Sequence, residues 1–336
     1  MLNVSVVIVT KNSEKILEEC LERLMRQDYD MLRMEVLVVD GGSTDRTRDI
    51  ALKKGAKVIH GGFPDNAEAR RFVGFQHASY EIILYLDSDN LIPHSKWLER
   101  MIQPFRDEEI MASFTKWYGI ESGMALLDRY YSMIGGNDPI VYYLGKQDRV
   151  PFLQTILPFG AQLVSDHDGY LKIKFQADKL PTLGCNGFLI RRSYLESLRL
   201  ESPEHFFHID VHVDLLKQHP NVCYGIVKTS IGHLTGQNIL SSLKKRLNYK
   251  RMHYDGLNMY RRYKVFDPSS VRDWLFLAWA IICALTLVEP IIRSIVGYIR
   301  TNDKAWFLHP VVLPLMAMTY MVSFVFPNKH TQTGNS

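Results

Sequence analysis

The chain has 336 residues, of which 46% are hydrophobic and 23% charged, and its formal net charge is +4. These values suit one large or two ordinary globular domains and exclude a disordered chain, a collagen-like repeat or a disulfide scaffold. The averages hide two extremes: 37 of the 53 residues from Trp274 to Phe326 are hydrophobic, and Ser241–Lys264 carries eight lysines and arginines against one aspartate.

The first 110 residues alternate short apolar runs with helical patterns. Val4–Val9 reads as a buried strand and Ser13–Arg26 as a helix capped by Ser13. Strands follow at Val36–Val39, Lys57–Ile59 and Ile82–Leu86, with helices at Thr44–Lys54, Asn66–Ala78 and from Pro93 to Phe105. Continuous Val/Ile/Leu strands between helices predict an α/β domain with a mainly parallel sheet covered on both faces. Residues 111–180 are irregular and rich in Tyr and Gly. Leu183–Ile190 then reads as a strand, Arg192–Ser197 as a helical turn, Val211–Gln218 as a helix, Val222–Val227 as a strand and Gln237–Tyr263 as a long basic helix.

The tail offers two candidate spans. Trp274–Ile292 is 19 residues, about 28 Å as a helix, and Ala305–Phe326 is 22 residues. Helices buried on a globular domain, or lying in the plane of an interface, are the alternatives. The cations Lys244, Lys245, Arg246, Lys250, Arg251, Arg261, Arg262 and Lys264 precede the first span. They read as a membrane signal rather than a nucleic-acid site, and place residues 1–270 on the cytosolic face. Arg293, Arg300 and Lys304, within or between the spans, run against that rule. The four cysteines form no CxxC pair or zinc spacing and read as reduced, buried thiols. No leader peptide is legible, so the sequence is expected to run straight into a domain. The expected organisation is 1–235 catalytic, with halves at 1–110 and 111–235. A juxtamembrane connector at 236–272, two transmembrane or membrane-associated helices at 273–327 and a polar tail at 328–336 complete it.

In an open α/β sheet chemistry gathers at the carboxyl ends of the strands. Those ends carry Thr10-Lys11-Asn12, then Asp40-Gly41-Gly42-Ser43-Thr44-Asp45, then Asp87-Ser88-Asp89-Asn90. None is a dinucleotide or P-loop fingerprint. Two carboxylates two residues apart on an extended segment lie on one side of the chain and suit a hard divalent cation that bridges phosphates.

The order of these motifs resembles the family 2 glycosyltransferases, with their GT-A fold. Ser5–Asn12 is similar to the family's first strand and Val38–Asp45 to its second, with Gly41 in place of the second aspartate of a pair. Ala69–Ala78 resembles the helix before the DxD, with Arg71 at the usual arginine and Phe72 where Asn is common. Asp87-Ser88-Asp89 matches the DxD, and Gly184–Arg192 resembles the acceptor-side strand and turn. The resemblance implies a nucleotide-sugar site of Thr10, Asn12, Asp40, Ser43, Arg71 and Asp87. It also implies Mg²⁺ or Mn²⁺ on Asp87 and Asp89, with His233 in reach. Asp210 stands at the family's base, with Ile209 in place of the usual glutamate and Asp214 as competitor. Arg191, Arg192, Lys244, Lys245 and Arg246 would bind an acceptor's phosphate or lipid. Tyr130-Tyr131, Gly135–Asp138 and Tyr142-Tyr143 are residues able to stack on sugars and to let a loop close.

The implied activity is a membrane-anchored, metal-dependent inverting transfer of a sugar from a nucleoside-diphosphate donor to a lipid-linked or glycan acceptor. Two alternatives stay open: a polyprenyl-phosphate glycosyltransferase of the dolichol-phosphate mannose synthase type, and a catalytically inactive membrane scaffold. A hydroxyl acceptor needs a base, whereas an ionised phosphate does not.

Overall fold

The structure is a computed structural model, and it describes residues 2–155, 157–200, 202–251 and 260–325. The chain divides into two compact units. The first comprises residues 1–121 and 159–234; the second comprises 122–158 and 235–336. Residues 122–158, expected within the acceptor half, therefore group with the apolar tail.

The first unit is built on one ten-stranded sheet. Its amino-terminal half follows the expected order: β1 (Val4–Thr10), α1 (Leu17–Met25), β2 (Met34–Asp40), α2 (Thr47–Lys53), β3 (Lys57–His60), α3 (Ala67–His77) and β4 (Ile82–Asp87). These four strands are parallel, in the order β3-β2-β1-β4. Val6, Ile8, Val38 and Leu84 have no exposed surface, and each such side chain contributes about 1.5–3 kcal/mol. Asn66 caps α3 by accepting from the Ala69 N–H at 3.1 Å. A Cβ on Gly74 would fall 2.2 Å from Val7 Cγ1, so this glycine lets α3 lie close on the sheet.

Ser13 does not cap α1. The helix begins at Leu17, after a turn in which the N–H groups of Ile16 and Leu17 donate to the Ser13 carbonyl. The helix expected from Pro93 is shorter, α4 (Trp97–Ile102), and ends in a 3-10 turn.

The rest of the sheet is mixed. A two-residue strand β5 (Asn90–Leu91) leads to β6 (Ile110–Tyr118). Then come β7 (Gln162–Asp166), β8 (Tyr170–Lys174), β9 (Phe188–Arg191), α7 (Arg192–Ser197), α8 (His208–Gln218) and β10 (Cys223–His233). Strand β9 lies antiparallel between β4 and β6, and β10 is parallel to β6.

The second unit is helical: α5 (Leu126–Ile134), α6 (Pro139–Tyr143), α9 (Ile239–Lys250), α10 (Val271–Thr286), α11 (Val288–Thr301) and α12 (His309–Val325). Of the long basic helix expected to Tyr263 the structure gives α9; residues 252–259 lie outside the described residues, as do Phe326 and the polar tail, and 261–263 are not helical. The expected span Trp274–Ile292 is not one helix. The chain bends by 86° between α10 and α11 at Leu287, whose φ is +60°. Pro290 then sits in the first turn of α11, where its missing N–H is no loss. Among the described residues one helix, Lys304–Ser323, is long and apolar enough to cross a membrane, and α10 with α11 qualify only as a bent pair.

Candidate active site

Three parallel strands end side by side. In register, Thr10 pairs with Asp40, and Val9 pairs with Asp87. The carboxyl edge of the sheet thus gathers the turns that the sequence singles out.

The Asp40 turn is held by its own carboxylate, which accepts from the Gly42 N–H at 3.2 Å, from the Ser43 N–H at 3.0 Å and from Ser43 Oγ. Ser43 Oγ in turn accepts from the Asn12 N–H at 2.8 Å, and Asn12 Oδ1 accepts from the Thr44 N–H at 2.9 Å. The first two loops are therefore laced together. Asn12 adopts φ +51°, a conformation asparagine tolerates better than most residues. Thr10 Oγ1 is buried with no hydrogen-bond partner among the described residues. A Cβ on Gly41 would fall 2.8 Å from Arg70 Nη1, so that guanidinium fills the place of a side chain there.

Arg71 joins the donor and acceptor sides of the unit. Its Nη2 donates to Asp87 Oδ1 at 2.6 Å and its Nη1 to Glu68 Oε1 at 2.9 Å. Glu68 Oε2 accepts from the His208 N–H at 2.9 Å, at the start of α8. Burial works against the Arg71 charge, but the adjoining Asp87, Cys185 and Glu68 hold its pKa well above the usual value. It remains a cation beside the DxD.

The DxD turn itself is braced from beneath. The Asp87 N–H donates to Asn90 Oδ1 at 2.9 Å, Asn90 Nδ2 donates to Asn186 Oδ1 at 2.8 Å, and Asn186 Nδ2 donates to Tyr118 Oη at 2.9 Å. The Tyr118 ring stacks on His233 with centroids 5.7 Å apart. His233 Nε2 lies 3.5 Å from Asp89 Oδ2, and the Leu234 N–H donates to the Asp89 carbonyl at 2.9 Å. The Cys20 thiol near this turn is pushed up to about 12, first by burial and then by the charges of Asp89 and Asp87.

Asp89 and His233 bring one oxygen and one nitrogen donor together, whereas Asp87 is engaged by Arg71. Among the described residues no group of three such side chains is poised to hold an ion. Two protein donors still fit a magnesium- or manganese-type ion, which takes its remaining ligands from phosphate and water.

Asp210 is fully buried in the first turn of α8. It is not the helix cap, because Phe207 holds that position. Asp214, its competitor, is partly buried on the next turn.

Two expected site residues, Arg191 and Arg192, lie at the other edge of the sheet. Arg191 pairs with Ile82, at the opposite end of β4 from Asp87 and about 17 Å along the strand. Its guanidinium donates to the carbonyls of Ile110, Phe105 and Asp107. Arg192 follows at the same edge and pairs with Glu196 at 2.9 Å. Because β9 runs antiparallel, its amino end, with Asn186, meets the site, and its carboxyl end does not. Lys244, Lys245 and Arg246 belong to the second unit on α9. The two lysines are exposed, whereas Arg246 faces Asp138 at 3.5 Å. The tyrosines expected to stack on sugars are buried packing residues of that unit, with Tyr131 Oη 2.6 Å from Ser242 Oγ. Sequence reasoning missed Glu68, Arg70, Asn90, Tyr118 and Asn186. Asn90 and Asn186 do stand inside the motifs it quoted.

Comparison with known proteins places the chain. Glycosyltransferase AglE of Haloferax volcanii is 34% identical over 102 residues, 29% of this chain and 33% of that protein. The 4,4'-diaponeurosporenoate glycosyltransferase of Staphylococcus haemolyticus is 31% identical over 113 residues, 32% of this chain and 29% of that protein. The chain thus spans about a third of the length of these curated relatives. Among solved structures, the mannosyltransferase PcManGT from Pyrobaculum calidifontis, described in complex with GDP-Man and Mn²⁺, superposes with a TM-score of 0.54. That likeness has 14% identity over 98% of this chain and 88% of that one, and it confirms the GT-A fold. Residues 5–199, more than half of the chain, match the family model for glycosyl transferase family 2, so the chain belongs to that family.

Proposed function

We propose that this enzyme transfers a sugar, with inversion, from a nucleoside-diphosphate sugar to a membrane-associated acceptor, lipid-linked or glycan, and that it needs a divalent cation. One observation carries the reading. The DxD carboxylates, the Arg71 cation and the orphaned Thr10 hydroxyl converge at the ends of three parallel strands.

Asp89 and His233 would hold Mg²⁺ or Mn²⁺, which when bound neutralises charge gathering on the diphosphate leaving group. Arg71 supplies a fixed positive charge beside it, already oriented by Asp87 and Glu68. Thr10 and the laced Asn12–Asp40–Ser43 turn line the nucleotide side. Asp210 is the proposed base for a hydroxyl acceptor, on a helix whose start Glu68 ties to Arg71. The apolar tail supports membrane association, and the basic stretch before it favours a cytosolic catalytic unit. Arg191 and Arg192, at the far end of β4 from Asp87, are left out of this proposed site.

A donor panel tests the reading. Full-length enzyme in detergent is given several nucleoside-diphosphate sugars, with Mn²⁺ or with chelator, and products are followed by mass spectrometry. Turnover of one donor, abolished by chelation, is expected. Undiminished turnover in chelator would overturn the metal assignment.

A further inference from the structure

The α10–α11 bend changes what the tail can do at a membrane, given the membrane association proposed above. The helices have 16 and 14 residues, about 24 and 21 Å long, so neither leg alone spans a hydrocarbon core of about 30 Å. With both legs equally inclined, an 86° bend puts the apex about 15 Å beyond the two ends, the thickness of one leaflet.

The polar groups follow the same shape. From Trp274 to Val288 the only polar side chain is Thr286, and its Oγ1 returns to the Ile282 carbonyl at 2.8 Å. The bend is internally bonded: the Leu287 N–H donates to the Cys283 carbonyl and the Ile291 N–H to the Leu287 carbonyl, both at 3.0 Å. On α11, Arg293 Nε donates to Glu289 Oε1 at 2.5 Å and the pair also bonds Tyr142 and Tyr143 of α6, while Ser294 Oγ and Thr301 Oγ1 return to helix carbonyls at 2.8 Å. Hydrocarbon demands this internal satisfaction; water does not. Meanwhile α10 buries only Asp273, Ala280, Cys283 and Ala284, and exposes Trp274, Leu275, Trp279, Ile282 and Leu285. A contiguous apolar face of this kind marks a contact with a membrane or another apolar surface.

Charge settles how the ends lie. Arg262 and Lys264 are exposed before the first leg, and Arg300 and Lys304 after the second. Two crossings would leave Arg300 and Lys304 on the side that repels positive loops. A returning hairpin puts both cationic ends at one headgroup layer and removes the conflict.

We infer that α10 and α11 form a re-entrant hairpin that enters one leaflet of a lipid bilayer, turns at Leu287 and returns to the same face. Its occupant is the acyl-chain layer, with anionic headgroups at both cationic ends.

Thiol labelling of the full chain in sealed membrane vesicles tests this, with the catalytic unit facing the reagent. The native cysteines are all buried, so the parent chain is the blank. Ser269→Cys and Lys304→Cys should both react with an impermeant maleimide from that side, and Leu285→Cys should react at least tenfold less until detergent is added. Spin labels on Leu275→Cys and Leu285→Cys should show the second lying deeper. Labelling of Lys304→Cys only from the opposite side, or equal depths for the two spin labels, would overturn the hairpin and leave membrane association standing. Recovery of the parent chain in the soluble fraction before any wash would overturn membrane association itself, and the hairpin with it.

Discussion

The two units use polar groups in opposite ways. In the first, Val, Ile and Leu strands fill the interior, and the acids and arginines collect where the parallel strands end. In the second, the interior holds Asp138, Lys146, Asp273, Ser294 and His309, while Leu, Ile and Trp side chains of α10 and α11 face outward. Lys146 Nζ pairs with Asp273 Oδ2 at 2.5 Å with both side chains nearly sealed. One unit is organised for water and for a charged ligand at its edge. The other turns an apolar face outward and keeps its charges matched inside, because an unmatched buried charge costs several kcal/mol.

That contrast can be broken by single substitutions. The largest effect is expected from Asp87→Ala, which removes the partner of Arg71 and one DxD carboxylate. The kcat/KM for donor should fall about 10²–10³-fold in steady-state assays, with a smaller loss of thermal stability because Glu68 still pairs with the buried Arg71. Asp273→Ala should do the reverse. Removing one half of the sealed pair should cost about 3 kcal/mol, seen as an earlier melting transition of the detergent-solubilised chain, whereas donor hydrolysis by the intact fraction should stay near parental. Arg71→Lys keeps the charge but loses the forked contact to Asp87 and Glu68, so a fall of about tenfold in kcat is expected. Asn186→Ala unties Tyr118 from Asn90 and should weaken Mn²⁺ binding about tenfold, as read by electron paramagnetic resonance. Arg192→Ala should change kcat/KM by less than about twofold. A large loss there would return the amino edge of the sheet to the acceptor site.

Much of the first unit was legible because its signals are local. Each of β1 to β4 is a run of buried apolar residues followed by a helix, and the acids that matter stand directly after them. The DxD and the Asp40 turn stand out in that order, whereas Arg71 is marked only by the family resemblance. Strand direction was not legible: nothing in Gly184–Arg192 says that β9 runs antiparallel, yet that alone moves Arg191 and Arg192 to the wrong edge. The bracing of the DxD by Asn90, Asn186 and Tyr118 joins residues up to 96 apart in the chain, beyond the reach of any periodicity. In the tail, composition gave the apolar segment, and Pro290 hinted at a break. The bend falls three residues earlier, at Leu287, where the backbone turns left-handed without a glycine. Residues 122–158 looked like an irregular part of the acceptor half, because α5 and α6 are defined by packing within a unit whose other helices begin more than 100 residues later.

Mn²⁺-dependent turnover of a donor sugar by the parent chain and by Asp89→Ala, with metal binding measured on the same samples, tests the central claim most directly. The account predicts that the parent binds Mn²⁺ and needs it for transfer, and that Asp89→Ala loses both while remaining folded. Full transfer by Asp89→Ala, or transfer by the parent without any divalent ion, would contradict it.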